Sequence, residues 1–254
     1  MRRLAMRDLG FRTGGPASPS ARVAALLGAD RLAHWDATAL SSISLSGSAV
    51  TGLRELVGGT VYVPGIASTR PAYSATGFNG RPCLVADGVD DYLFASEVPW
   101  PAGASASEIW ACVSQDVLGS AAGSSQIVGY GSTATINTTR AISRISSSSV
   151  NRARAVVGIG ASAPQAIDSS TDFSGFHVIR GVFGASSTSI SIDGGPPTSV
   201  SAVPATDTSR TALLAAMGLI NGFFTGKFSV GLVTNPLSAD KAEALLALLQ
   251  QRYL

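Results

Sequence analysis

Short apolar runs of period two constrain the fold of this chain more than any other feature. From about residue 30 onward, such runs alternate with clusters of Gly, Ser, Asn, Asp and Pro. In one of them Ile109, Ala111 and Val113 occupy every second position. Because successive side chains of a strand point to opposite faces, these runs predict β-strands. Many short strands without strand–helix alternation predict an all-β sandwich or jelly roll.

A helix is predicted at each end of this β-rich region. The first helix is expected to have Ser20 as its N-cap and to stop at Gly28, after a basic and then Gly/Pro/Ser-rich arm. A C-terminal helix is predicted over 238–253, with a leucine stripe that would pack on the sandwich. We therefore divide the chain into an arm with its helix, 1–28, and a jelly-roll domain, 29–254.

A hairpin and a core strand are predicted in the second half of the chain. Asp193-Gly194 begins a Gly- and Pro-rich stretch, which is typical of a turn between two strands. Further along, Phe228, Val230 and Leu232 alternate with smaller or polar residues, and we expect them in the core.

Composition excludes several classes of protein. A net charge of +2 gives no indication of nucleic-acid binding, and no stretch approaches the ~18 apolar residues of a membrane span. The basic start of the chain lacks an apolar segment behind it, so we expect no signal peptide. Two cysteines exclude a disulfide-dense scaffold. Cys83 and Cys112 are expected to be reduced and packed as small apolar residues, and whether they pair stays open.

Six segments carry a resemblance to a known family. They are, in order, 32–37 (LAHWDA), 70–73 (RPAY), 78–84 (FNGRPCL), 87–93 (DGVDDYL), 191–194 (SIDG) and 224–238 (FTGKFSVGLVTNPLS). Their order and spacing resemble those of concanavalin A-like lectin/glucanase (LamG-type) jelly rolls, which are common in phage structural proteins. The resemblance implies a concanavalin A-like jelly-roll sandwich.

The sequence gives no motif for catalysis. Glycosidases of the family that the chain resembles carry two or three carboxylates on one strand, in the form Glu-x-Asp-x-x-Glu. The four glutamates of this chain have no such neighbourhood; they are Glu55, Glu97, Glu108 and Glu243. We therefore expect no catalytic residues and no cofactor.

Asp87, Asp90 and Asp91 form the densest acidic cluster. Their carboxylates are candidate Ca²⁺ ligands, since Ca²⁺ takes six to eight oxygens. The alternative is structural: Asp87 makes a turn with Gly88, and the other two aspartates cap backbone amides. We favour the structural interpretation.

Four arginines are candidates for glycan binding. If Ala141 and Ile145 face the core, a hairpin over 140–154 would place four guanidinium groups on one exposed face, where they would suit an acidic polysaccharide. These residues are Arg140, Arg144, Arg152 and Arg154. The alternative is a solvated outer face in an arginine-biased protein. Trp100, between two prolines, and Trp110 are candidates for stacking on sugar rings, whereas Trp35 is expected in the core.

The resemblance, together with these candidates, leads to a functional prediction. We expect a non-enzymatic fibre or spike component on the surface of a phage or phage-like particle, made in the bacterial cytoplasm, that binds host cell-surface polysaccharide. The arm would attach it to structural proteins of the particle through Arg2, Arg3, Arg7 and Arg12, in a homo-oligomer, without nucleic acid or membrane insertion. Two alternatives stay open: a purely structural decoration module without a ligand, and a polysaccharide-degrading enzyme.

Overall fold

The protein is an antiparallel sandwich of two β-sheets with two α-helices, which confirms the predicted all-β class. The computed structural model describes residues 17–96, 100–115, 124–131, 139–147, 150–158, 164–168, 175–202, 210–215 and 222–251. Seventeen strands and both helices lie within these residues. Helix α1 spans Pro19–Leu27 and helix α2 spans Ala239–Gln251.

The larger sheet, sheet A, contains eleven strands in the order β15-β14-β13-β8-β17-β6-β5-β3-β2, with β1 paired to β17 and β4 to β3. Its strands are β1 (Arg31–Asp36), β2 (Ile43–Ser46), β3 (Ala49–Arg54), β4 (Val61–Tyr62), β5 (Ala72–Phe78), β6 (Arg81–Asp87), β8 (Ser107–Gln115), β13 (Gly175–Phe183), β14 (Ser187–Ile192), β15 (Thr198–Ser201) and β17 (Thr225–Thr234).

The smaller sheet, sheet B, contains six strands in the order β12-β11-β10-β9-β16-β7. Its strands are β7 (Leu93–Ser96), β9 (Ser124–Gly131), β10 (Thr139–Ser147), β11 (Val150–Val157), β12 (Gln165–Ile167) and β16 (Arg210–Leu213). The two sheets meet at one corner, where Val63 after β4 and Phe94 of β7 exchange backbone hydrogen bonds of 3.0 and 3.1 Å.

Strand β17 is buried on both of its faces. Phe228 and Val233 belong to the core between the sheets, whereas Val230 and Leu232 belong to a second core beneath the helices. An irregularity in the pairing with β8, between Phe228 and Val230, accompanies this change of side. The prediction that Phe228, Val230 and Leu232 are core residues is confirmed.

The two helices pack side by side on the outer face of sheet A. Val23 and Leu27 of α1 and Leu245 and Leu249 of α2 are buried in the second core. The prediction that the C-terminal helix packs on the sandwich is therefore confirmed. Neither helix, nor any other in the described part of the chain, is long and apolar enough to cross a membrane.

Helix α1 begins two residues earlier than predicted. Ser18, not Ser20, caps the helix, because the Ser18 hydroxyl accepts a hydrogen bond from the Ala21 amide at 3.2 Å. The Ser20 hydroxyl donates instead to the buried Asp36 carboxylate of β1. That bond, with the buried face of α1, ties the helix to the sandwich. The arm residues up to 16 lie outside the described residues, so the attachment role of 1–28 stays a prediction.

Glu108 of β8 holds the residue just before α2 against sheet A. Its carboxylate accepts two hydrogen bonds from the Arg180 guanidinium, at 2.8 and 3.0 Å, and one from the Trp110 indole at 3.0 Å. The Leu237 amide donates a further bond at 3.0 Å, just before the helix. Arg180 also covers the Trp110 ring, with 4.9 Å from Cζ to the ring centroid. One buried carboxylate thus joins β8, β13 and the start of α2.

The predicted hairpin at Asp193-Gly194 is confirmed, because β14 and β15 pair as antiparallel neighbours on either side of it. The Asp193 carboxylate also accepts a hydrogen bond from the Val178 amide at 2.8 Å, which ties the turn to β13. Cys83 and Cys112 are reduced thiols buried in the second core, as predicted.

Truncation of a β17 side chain tests the second core. We expect Leu232→Ala, at a fully buried position, to lower the free energy of unfolding by about 2–5 kcal/mol through lost burial and a cavity. The matched control is Leu40→Ala, at a side chain that is 61% exposed, which should cost less than about 0.5 kcal/mol. Urea unfolding of both variants measures the difference. Equal effects would mean that Leu232 is not packed in a core.

Candidate functional site

The predicted four-arginine face does not form. Arg140 pairs with Val157 and Arg144 with Ala153, and both of these partners belong to the core between the sheets. Because paired residues share a face of the sheet, Arg140 and Arg144 point inward. Arg152 and Arg154 lie on the opposite face, as their own alternation predicted. The expectation that Ala141 and Ile145 face the core is therefore wrong, since the inward positions belong to two arginines.

Polar and aromatic contacts inside the sandwich accommodate the Arg140 side chain. The side chain is fully buried, and its guanidinium donates to the Ser107 hydroxyl at 2.6 Å and to the Gly103 carbonyl at 2.9 Å. The Tyr130 ring lies 5.8 Å from its Cζ. Burial lowers the pKa of Arg140, an effect that Tyr130 partly opposes. Arg140 is therefore an interior residue, and a polysaccharide at the surface cannot contact it.

The two tryptophans proposed for stacking are also buried. Trp100 is 7% exposed and packs edge-on against Trp35, at 5.4 Å between ring centroids, and Tyr130, at 5.0 Å. Trp110 is 2% exposed beneath the helices. Neither ring presents a face to a ligand, so both expectations are corrected. Trp35 lies in the core as predicted. The arginines of the arm are outside the described residues; they are Arg2, Arg3, Arg7 and Arg12.

The acidic cluster, in contrast, forms a compact group at the surface. Asp87 ends β6, and Asp90 and Asp91 precede β7. One carboxylate oxygen from each of the three residues lies within 4.8 Å of the other two. The Asp87 carboxylate is exposed, that of Asp90 is partly exposed, and Asp91 is buried. The exposure of the carboxylates to water therefore decreases from Asp87 through Asp90 to Asp91.

Local hydrogen bonds hold the cluster in this shape. The Asp87 carboxylate accepts from the Val89 amide at 2.8 Å, and the Asp91 carboxylate accepts from the Asp87 amide at 2.9 Å. Gly88 has a φ of +80°, and a Cβ there would lie 1.8 Å from the Thr225 hydroxyl. Only glycine fits this turn against β17. The predicted turn and the capping of an amide by Asp91 are confirmed.

Asp91 has a perturbed pKa. Burial raises its pKa to about 6, against the lowering effect of the hydrogen bond from the Asp87 amide. The negative charges of Asp87 and Asp90 and a side-chain hydrogen bond with Asp87 add to the rise. Near pH 6 about half of the Asp91 carboxyl groups therefore carry a proton, whereas an ordinary aspartic acid is almost fully ionised there.

An aromatic surface adjoins the cluster. Along β7, Leu93 and Ala95 face the core, so Tyr92 and Phe94 face outward and are partly exposed. The Tyr92 ring lies 5.9 Å from that of Phe94 and 6.2 Å from that of Phe223, the second pair nearly parallel at 28°. Partly exposed rings of this kind can stack against a flat apolar face of a ligand. We call these six residues the acid–aromatic surface: Asp87, Asp90, Asp91, Tyr92, Phe94 and Phe223.

The fold brings the aspartates and the aromatic rings of this surface together. Tyr92 follows Asp91 directly, and Phe223 lies two residues before Thr225, which pairs with Asp87. Gly65 makes room for the tyrosine, because a Cβ there would lie 1.8 Å from the Tyr92 hydroxyl oxygen. Tyr92, Phe94 and Phe223 were not predicted to be site residues. The alternation of Tyr92 and Phe94 with small or aliphatic residues was the available signal for the first two.

The cluster also has the donor set of a cation site. Three carboxylates supply part of the six to eight oxygens that Ca²⁺ requires. Two of their oxygens already accept amide hydrogen bonds, from Val89 and Asp87. The residues are compatible with Ca²⁺, which stays the alternative to the favoured structural interpretation.

Three further buried carboxylates, those of Glu55, Asp36 and Glu108, are occupied by structural hydrogen bonds. Glu55 accepts from the amides of His34 at 2.7 Å and Val57 at 2.6 Å, and so closes a loop over β1. Asp36 accepts from the amide and hydroxyl of Thr38, at 2.9 and 2.8 Å. Glu108 holds α2 as described above. These groups are committed to the fold, which leaves the acid–aromatic surface as the best candidate for chemistry.

A concave region lies between the helices. It is a cleft of about 150 Å³ lined by Ala17, Pro19, Arg22, Arg81, Leu248 and Gln251. Its lining residues include two arginines but no carboxylate, histidine or cysteine. The cleft therefore lacks the groups for acid–base or nucleophilic catalysis.

Comparison with known proteins shows the fold. No family model matches the sequence, and no curated protein does. Among solved structures, an arabinofuranosidase complexed with arabinofuranosyl-α-1,2-xylobiose superposes with a TM-score of 0.58 at 13% identity, over 89% of this chain and 60% of its own. An α-L-arabinofuranosidase soaked with a cyclic sulfate inhibitor gives 0.59 at 13% identity, over 81% and 51%. Trypanosoma rangeli sialidase gives 0.58 at 15% identity, over 89% and 34%.

These neighbours contradict the predicted non-enzymatic fibre or spike. The chain spans between about a third and three fifths of their lengths, and they are glycosidases by name. The β-sandwich that the family resemblance implied is confirmed.

The raised pKa of Asp91 predicts a pH-dependent stability. Between about pH 4 and 6 the folded protein keeps a proton that the unfolded chain has lost, so stability falls as pH rises through this window. Asp91→Asn removes the penalty while keeping the shape of the side chain. We therefore expect the melting temperature of the variant to rise relative to wild type as pH increases from about 4 to 8.

Thermal unfolding in EDTA, which removes Ca²⁺, measures this difference. Asp240→Asn, at an exposed aspartate in the first turn of α2, is the matched control and should bring no such gain. A difference between Asp91→Asn and wild type that does not change with pH would show that Asp91 carries its charge in the folded protein without a penalty.

Proposed function

We propose that this protein cleaves glycosidic bonds of a polysaccharide at the acid–aromatic surface. The observation that carries the proposal is the placement of three carboxylates within 4.8 Å of one another beside partly exposed aromatic rings. Most glycosidases use two carboxyl groups, one to protonate the leaving oxygen and one as nucleophile or base. The cluster provides that pair at one point of the surface.

The environments of the three aspartates assign the roles. Asp91 is buried, and its pKa of about 6 keeps a proton available, so it acts as the general acid. The second carboxylate comes from Asp87 or Asp90, which are more exposed and stand beside it. A spacing below 4.8 Å between oxygens is closer to the ~5–5.5 Å of retaining enzymes than to the ~6.5–9.5 Å of inverting ones.

The aromatic rings would bind the sugar chain. Tyr92 and Phe223 are nearly parallel and partly exposed, which suits stacking against the apolar face of a pyranose or furanose ring. Because Tyr92 follows Asp91 in the chain, a sugar on this ring would lie next to the proposed acid. Binding and proton transfer would thus occur on neighbouring residues.

Two further observations support the proposal. Solved structures with this architecture include arabinofuranosidases and a sialidase, at 13–15% identity to this chain. The segment that contains the cluster, 87–93, is also one of those that resemble concanavalin A-like lectin/glucanase jelly rolls, a family that includes glycosidases.

Hydrolysis of defined substrates tests the proposal. The purified chain is incubated with a panel of 4-nitrophenyl glycosides, including the α-L-arabinofuranoside, and with polysaccharides whose new reducing ends are measured. We expect Asp91→Asn to lower kcat by at least about 100-fold, because a general acid contributes that much or more. Asp87→Asn or Asp90→Asn should cause a comparable loss, which identifies the second carboxylate. Asp240→Asn is the control and should keep full activity.

The pH profile gives an independent readout. Since the acid must be protonated, activity should fall as pH rises through the pKa of about 6. Sugar binding without any hydrolysis across the panel would contradict the proposal, and so would hydrolysis that survives in all three asparagine variants.

A further inference from the structure

Arg210 extends the acid–aromatic surface in the direction away from the carboxylates. It begins β16, where it pairs with Ser96 of β7, and Ala212 pairs with Phe94. Because paired residues share a face, the Arg210 side chain lies on the same outer face as Phe94. Its guanidinium Cζ is 5.7 Å from the centroid of the Phe94 ring. The aromatic row that starts beside Asp91 therefore ends at a cation.

The Arg210 side chain lies at the surface of the described part of the chain. The residue is exposed, and no carboxylate of the described residues forms an ion pair with it. Its contact with the Phe94 ring restrains a long side chain, so less rotamer freedom is lost when a ligand binds. A planar guanidinium fork binds a carboxylate through two parallel hydrogen bonds.

Distance separates this cation from the acidic cluster. Asp91 and Phe94 are three residues apart, which is about 10 Å in an extended chain. That exceeds the Debye length of about 8 Å at physiological ionic strength. A negative group at Arg210 would therefore be screened from Asp87, Asp90 and Asp91, while the sugar at those carboxylates would need to be neutral.

We propose that the polysaccharide taken by this surface is acidic, and that Arg210 binds the carboxylate of a sugar unit next to the one held at the aspartates. The inference rests on the proposed function for the location of the site, and it adds the substrate class. Tyr92 and Phe223 bind the chain by stacking without regard to charge, and Arg210 selects for the carboxylate.

Matched ligands test this selection without requiring hydrolysis. Oligogalacturonides and hyaluronan oligosaccharides are compared with their methyl esters, which keep the sugar and remove the charge. We expect wild type to bind the acids about three to ten times more tightly than the esters, an advantage that shrinks at raised salt. Calorimetric titration gives the dissociation constants.

Variants of arginine then locate the selection. Arg210→Gln should reduce the acid-to-ester ratio to about one while affinity for the esters stays close to that of wild type, and Arg210→Lys, which keeps the charge but not the fork, should retain part of the ratio. Arg22→Gln, at an exposed arginine of α1, is the matched control and should leave the ratio unchanged. Unchanged melting temperatures confirm that the variants fold.

Three outcomes would overturn the inference: no preference for the acids in wild type, an unchanged ratio in Arg210→Gln, or a ratio lost in Arg22→Gln instead. A protein that selects acidic oligosaccharides through Arg210 but hydrolyses none of them would contradict the proposed function and leave this inference standing.

Discussion

The burial of β17 on both faces is the constraint on which the rest of the structure depends. On one face Phe228 and Val233 close the core between the sheets, and on the other Val230 and Leu232 support the helices. The strand pairs with β8 along one edge and with β6 and β1 along the other. Its first residue, Thr225, pairs with Asp87, and so the strand that organises both cores also positions the acidic cluster.

The candidate site is a consequence of that arrangement at one corner of the sandwich. Sheet A delivers Asp87 at the end of β6, and sheet B delivers Tyr92 and Phe94 along the outer face of β7. Backbone bonds between Val63 and Phe94 join the sheets at the same corner. Carboxylates and rings that belong to different sheets are thereby held side by side. Asp91 is desolvated there because it lies at the junction, and this is the largest cause of its raised pKa.

Periodicity was sufficient to predict the architecture but not which face of sheet B is inward. The β-class, the helix on the sandwich and the core of β17 follow from local alternation of apolar residues, which the sequence displays directly. The same alternation wrongly predicts Arg140 on the exposed face. Its long side chain is held inside by Ser107, Gly103 and Tyr130, which are all distant in sequence. Trp100 is also wrongly predicted at the surface, because this loop residue between prolines packs against Trp35 and Tyr130. The acidic cluster is local in sequence and was found, whereas Phe223 joins the surface through a contact across more than a hundred residues.

Mapping a bound oligosaccharide on the protein tests the central claim, that the acid–aromatic surface is where this protein meets its glycan. The isotope-labelled Asp91→Asn variant, which should bind without turnover, is titrated with arabinoxylan and galacturonan oligosaccharides while backbone amide resonances are followed. The account predicts that the largest shifts fall at residues 87–94, 210 and 223. Shifts concentrated at the cleft between the helices, or around Arg152 and Arg154, with none at 87–94 would contradict it.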